Sequence, residues 1–157
     1  MTSRRDWRSG ARAAAVLAVG VVLGACSSSE PAATATASAA ATAAQPKATV
    51  AVTLKDFGVA AAPASVAAGQ ITFAVQNSGA IPHQLVVVKS DLAPDKLPQV
   101  NQKLVDVKQV PAVAETQQFD GGKKQEVTAT LQPGKYVLFC NVESHYISGM
   151  FTAFTVN

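Results

Sequence analysis

Few residue types able to bind a metal or carry redox chemistry occur in this 157-residue chain. It has two histidines, two cysteines, two methionines and one tryptophan. Arginine is absent after Arg12: all four (Arg4, Arg5, Arg8, Arg12) fall in the first twelve residues. After Cys26, nine lysines face nine acidic residues, so the formal +3 belongs to the first 26 residues and the remainder balances. A nucleic-acid binder needs a basic face to displace counterions, and this balance argues against one. Lys123 and Lys124 are adjacent cations, but they follow Gly121-Gly122 and read as a solvated turn. Long apolar runs are also missing. The longest, Ala13 to Ala25, is short of the roughly twenty residues a bilayer crossing needs.

That run follows a basic start and reads as an export signal over residues 1–25. It ends in Leu23-Gly24-Ala25-Cys26, which resembles the lipobox of bacterial lipoproteins; the resemblance implies lipidation at Cys26 and a membrane anchor. Ser3-Arg4-Arg5-Asp6-Trp7 also resembles a twin-arginine signal, although Arg8 replaces an apolar residue and plain n-region charge explains the pair equally. Residues 26–47 hold that cysteine and an Ala/Ser/Thr/Pro stretch without the apolar bulk to offset ordering. They are expected to form a flexible tether. The protein is thus expected to be exported and lipid-anchored in the cell envelope.

Residues 48–157 form the expected folded domain. Short runs rich in Val, Thr, Phe and Tyr alternate with turn residues: "TVAVTLKDF", "QITFAVQN", "HQLVVVK", "QEVTATL", "KYVLFCN" and "FTAFTVN". Turns are expected at Ala68-Gly69, Asn77-Ser78-Gly79, Gly121-Gly122 and Pro133-Gly134. The pattern predicts an all-β, antiparallel Greek-key sandwich, with a short helix near 94–107.

Discounting Met1 and Cys26 as processing features leaves His83, Cys140, His145 and Met150. Each alone is more often a core or satisfied polar residue. Together, two imidazoles, a thiolate and a weak thioether are the ligand set of a blue-copper electron-transfer site. Cys140 ends one expected strand, Met150 begins the next, and His145 lies on the loop between, so one connection can aim three ligands at one point. His83 would come from a distant strand. Strand parity puts His83, Leu85 and Val87 on one face of their strand and Tyr136, Leu138 and Cys140 on one face of theirs; ligands and large apolar residues point the same way, so the metal should sit at one end of the core.

The segments "NSGAIPHQLVV", "LQPGKYVLFC" and "CNVESHYISGMFTAFTV" resemble the cupredoxins of the plastocyanin and azurin type. The resemblance implies an eight-stranded Greek-key sandwich, one copper ion on His83, Cys140, His145 and Met150, and one-electron shuttling rather than enzymatic turnover. It also implies that the edge of His145 reaches the surface inside an apolar docking patch, for which Ile81, Pro82, Tyr146 and Ile147 are the candidates. A second, longer electron route would run through Tyr136. Partners are expected to be transient redox proteins, and the domain a monomer. Two positions depart from the family pattern. Gln84 stands where an asparagine often braces the cysteine loop, and Glu143-Ser144 replaces a frequent Pro-Gly.

Delivery or sequestration of a single copper ion stays open as an alternative function. Multi-ion storage is disfavoured because one methionine remains. Copper oxidases and nitrite reductases need further histidines, and a binuclear copper centre needs a second cysteine, where residue 144 is serine.

Overall fold

The computed structural model describes residues 47–157. The expected export signal, lipobox with Cys26 and tether up to residue 46 lie outside the described residues. Eleven strands follow in chain order: β1 (Lys47–Lys55), β2 (Gly58–Ala62), β3 (Ser65–Val66), β4 (Gly69–Asn77), β5 (Val86–Lys89), β6 (Gln99–Val100), β7 (Leu104–Val105), β8 (Ala112–Glu115), β9 (Lys124–Leu131), β10 (Gly134–Phe139) and β11 (Phe151–Val156). Nine of them build two sheets in the non-sequential orders β2-β1-β4-β9 and β3-β11-β10-β5-β8, a sandwich as expected.

The sheets are mixed rather than wholly antiparallel. β1 runs parallel to β4 over Lys47–Leu54 and Gln70–Asn77, and β3 runs parallel to β11. Residues 58–68 cause this. They leave the first sheet after β2, touch the second as β3, and return so that β4 enters in the direction of β1.

Period-two alternation sets the core. Val50, Val52 and Leu54 of β1 and Ile71, Phe73 and Val75 of β4 meet Val87, Leu138 and Phe154 from the other sheet and Leu85 just before β5. Phe73 and Phe154 cross edge to face at 5.7 Å, an arrangement that aromatic quadrupoles favour. Tyr136 is core; its hydroxyl donates to Gln132 O at 2.8 Å.

β5 and β10 are apolar on both faces, a pattern that demands cover on both sides. Their outward residues Val86, Val88, Val137 and Phe139 form a second cluster with Leu97, Val105 and Tyr146. The cover comes from residues 90–111, and here the expected helix at 94–107 is corrected: the described residues contain no helix. The segment instead forms the β6–β7 hairpin. Asn101 and Gln102 have φ of 53° and 54°, and Lys103 N–H donates to Val100 O at 3.1 Å. Two successive left-handed residues cannot continue a right-handed helix, and Pro94 and Pro98 each withhold a backbone donor.

Candidate metal centre

β10 and β11 are antiparallel neighbours, with Phe139 opposite Phe151. The residues just beyond them, Cys140 and Met150, therefore face each other, and Cys140 N–H donates to Met150 O at 3.0 Å. Both side chains are fully buried. The loop between them is wound into tight turns: His145 N–H donates to Val142 O at 3.0 Å, Gly149 N–H to Tyr146 O at 3.0 Å, and Met150 N–H to His145 O at 3.2 Å. This winding returns His145 to the mouth of its own strand pair.

His83 arrives on the β4–β5 connection, just before β5, which is the neighbour of β10. It forms a two-way backbone bridge with Phe119 (3.1 and 2.9 Å) and is fully buried. The turn before it is held by Asn77, also fully buried. The Asn77 amide donates to Ile81 O at 2.9 Å and Phe119 O at 3.0 Å, and its oxygen accepts Gly79 N–H at 2.9 Å.

The donor atoms converge. His83 Nδ1 lies 3.1 Å from His145 Nδ1 and 3.8 Å from Cys140 Sγ, and His145 Nδ1 lies 3.4 Å from that sulfur. Three donors bonded to one ion at about 2.0–2.3 Å stand at such separations. Gln84 N–H points at the sulfur at 3.4 Å. Burial pushes the Cys140 thiol up, against the opposing pull of that N–H; burial, then the charge of His83, pushes His145 down. The pocket without metal therefore disfavours charge on either group.

The two departures have structural roles. Ser144 adopts φ 68°, the left-handed geometry for which glycine is suited. Glu143 pairs with Lys103 at 2.6 Å, and Lys103 O accepts Ser144 N–H at 3.0 Å. Asn141 joins the same brace, its oxygen accepting Val105 N–H at 2.8 Å. Hairpin β6–β7 thus clamps the ligand loop. The Gln84 amide reaches away from that loop and donates to Thr116 O at 3.0 Å.

Of the docking candidates, Ile81 (40% exposed) and Ile147 (52%) are on the surface, Pro82 is half-buried, and His145 is partly exposed. Tyr146 is corrected: it is buried. Its ring fills the outer cluster, 5.7 Å from Phe139 and 5.3 Å from Phe151, and its hydroxyl donates to Pro94 O at 2.7 Å while accepting Leu97 N–H at 3.0 Å. Inside a wound loop, neighbours in sequence point to different sides, so adjacency to His145 does not bring exposure. Tyr146→Phe is expected to lower stability by about 1–3 kcal/mol, because Leu97 N–H loses its buried acceptor. A lower urea midpoint at unchanged m in the metal-free protein checks this.

The sequence reading missed two residues near the site, both in the β1–β2 turn. Phe57 is 63% exposed at φ 66°, and its carbonyl oxygen stands 3.8 Å from where a Cβ on Gly149 would lie. Asp56 accepts a hydrogen bond from His83 Nε2 at 3.1 Å and from Ala80 N–H at 3.2 Å to each oxygen. The Ala80 N–H foremost, with the His83 hydrogen bond adding to it against partial burial, holds the Asp56 carboxyl below its usual range. Nothing in the spacing of Lys55-Asp56-Phe57 marks either residue.

A β-sandwich that gathers two imidazoles and a thiolate at one end, beside a buried methionine, defines a single-copper protein of the blue type. The cupredoxin-like domain model matches residues 16–153, and the chain belongs to that family. The cofactor for which this donor set is built is one copper ion.

Solved structures agree on the fold. Auracyanin from the photosynthetic bacterium Roseiflexus castenholzii is 23% identical, with a TM-score of 0.50 over 73% of this chain and 99% of its own. Auracyanin A, a blue copper protein from the green thermophilic photosynthetic bacterium Chloroflexus aurantiacus, is 20% identical, with a TM-score of 0.52 over 71% of this chain and 100% of its own. Auracyanin B is 24% identical, with a TM-score of 0.51 over 70% of this chain and 88% of its own. No curated protein matched the sequence.

Proposed function

We propose that this protein shuttles single electrons between transient redox partners in the cell envelope, held to a membrane through lipidated Cys26. The observation that carries the proposal is the convergence of His83 Nδ1, His145 Nδ1 and Cys140 Sγ within 3.1–3.8 Å on a braced scaffold. A bound copper supplies the one-electron couple, and the chain supplies everything else. His83 and Cys140, both fully buried, tie the site to the ends of two neighbouring strands of one sheet, β5 and β10, and limit geometric change between oxidation states. Gln84 N–H stabilises negative charge on the sulfur. His145, partly exposed, offers an edge to a partner.

Ile81, Pro82 and Ile147, joined by Phe57, form the apolar contact surface. Small interfaces of this kind suit partners that must separate quickly. Ahead of the domain, the 20 residues from 27 to 46 would span at most about 70 Å, enough to let it visit partners along a membrane.

Two rates separate a shuttle from a copper carrier. The copper-loaded protein is expected to exchange electrons with its own kind rapidly and to retain copper against a chelator. Ready surrender of the metal with slow self-exchange would instead establish delivery. Met150→Leu is expected to raise the reduction potential, since loss of a donor disfavours Cu(II). The shift is about 59 mV for each tenfold change in the balance of oxidation states, read by redox titration.

A further inference from the structure

We propose that Asp56 positions and tunes the metal centre: its carboxylate fixes the proton of His83 on Nε2, leaves Nδ1 free to bind metal, and favours the oxidised state of a bound copper. The inference rests on the copper reading above.

A neutral imidazole has one N–H and one acceptor nitrogen. His83 is fully buried, so its two nitrogens meet protein on both sides. Nδ1 faces His145 Nδ1 and Cys140 Sγ, while Nε2 faces Asp56 Oδ1 at 3.1 Å. An ionised carboxylate accepts and does not donate, so the proton belongs on Nε2 and the Nδ1 lone pair points at the other two donors. Metal-binding histidines commonly orient through such a partner, which also raises their basicity.

The carboxylate is itself held. Both oxygens accept from Ala80 N–H at 3.2 Å, in the turn that leads to His83. Gly79 makes this approach possible: a Cβ there would stand 2.2 Å from Asp56 Oδ1 and 2.8 Å from His83 Nε2. The Asp–His pair therefore closes over a residue with no side chain. Negative charge beside a ligand stabilises the more positive ion, so Asp56 should lower the reduction potential. Its side chain is 38% exposed, and solvent screening keeps the effect modest.

Asp56→Asn keeps an amide oxygen able to accept from Nε2 but removes the charge; Asp56→Ala removes both. The unmodified protein and both variants are compared by nitrogen NMR of the His83 ring without metal, and by redox titration with copper. The expected tautomer is Nε2–H in the unmodified chain and in Asp56→Asn, with the proton spread over both nitrogens in Asp56→Ala. The potential of Asp56→Asn should rise by roughly a tenfold change in the Cu(I)/Cu(II) ratio, about 59 mV. Copper affinity of Asp56→Ala should fall about 10–100-fold. An unchanged potential in Asp56→Asn, or a His83 tautomer indifferent to Asp56→Ala, overturns the proposal. A chain that takes up no copper sinks the electron-transfer reading instead, and the metal-free ring spectra still decide whether Asp56 sets the tautomer.

Discussion

Cys140→Ser is expected to abolish the intense visible absorption of the copper-loaded protein and to weaken copper binding more than about a hundredfold, beyond the 10–100-fold typical of losing a supporting partner. The thiolate is the soft donor that selects copper. A serine oxygen is hard and stays protonated, so the sulfur-to-copper charge transfer has no source. The backbone should survive. Cys140 is fully buried with its N–H bonded to Met150 O, and Gln84 N–H, 3.4 Å from the sulfur, can donate to a hydroxyl. Burying the hydroxyl costs about 1–3 kcal/mol, leaving a folded control. Copper titration followed by absorbance reads both effects, and a variant that keeps its colour would remove Cys140 from the site.

Gly121→Ala should be the most damaging small substitution remote in sequence from every ligand. A Cβ at residue 121 would stand 2.3 Å from Gly79 O and 3.3 Å from Gly79 C. Both are backbone atoms, which cannot swing aside like the end of a side chain. The Gly121 turn is locked to the Asn77–His83 turn, with Gly122 N–H donating to Asn77 O at 2.8 Å and Asn77 N–H to Lys123 O at 3.0 Å. Relief therefore shifts Gly79 and Ala80, and with them Asp56 and His83. The expected cost is about 3 kcal/mol, a fall of about 10 °C in Tm, with a perturbed copper spectrum. Gly58→Ala is the control: a Cβ there meets nothing within 4 Å, so its effect should stay within about 0.5 kcal/mol. Equal melting of Gly121→Ala and the unmodified protein would show that the two turns are not tightly coupled.

The strands that build the core were legible because alternation in "QITFAVQN" or "TVAVTLK" is a local property of the chain. The ligands were legible through scarcity and through their places at strand ends. What stayed hidden depends on contacts distant in sequence. The parallel pairing of β1 with β4 follows from a crossover that no local pattern records. Residues 94–107 have apolar positions compatible with a helix, but the outer face of β5 and β10 recruits them as a hairpin. That face also claims Tyr146, which adjacency to His145 had assigned to the surface. A sheet apolar on both sides was itself the available signal, since Val86-Val87-Val88 cannot all point into one core. Asp56 and Phe57 sit in a turn, where no periodicity marks a residue, and only the fold brings them to the site.

The central claim is that His83, Cys140, His145 and Met150 bind one copper ion as a blue electron-transfer centre. Optical and electron spin-resonance spectra of the copper-loaded full chain, recorded with its reduction potential, test it most directly. The account predicts an intense blue absorption, a narrow copper hyperfine splitting and a reversible one-electron wave. A colourless copper adduct with the wide splitting of an ordinary nitrogen-and-oxygen site would contradict it.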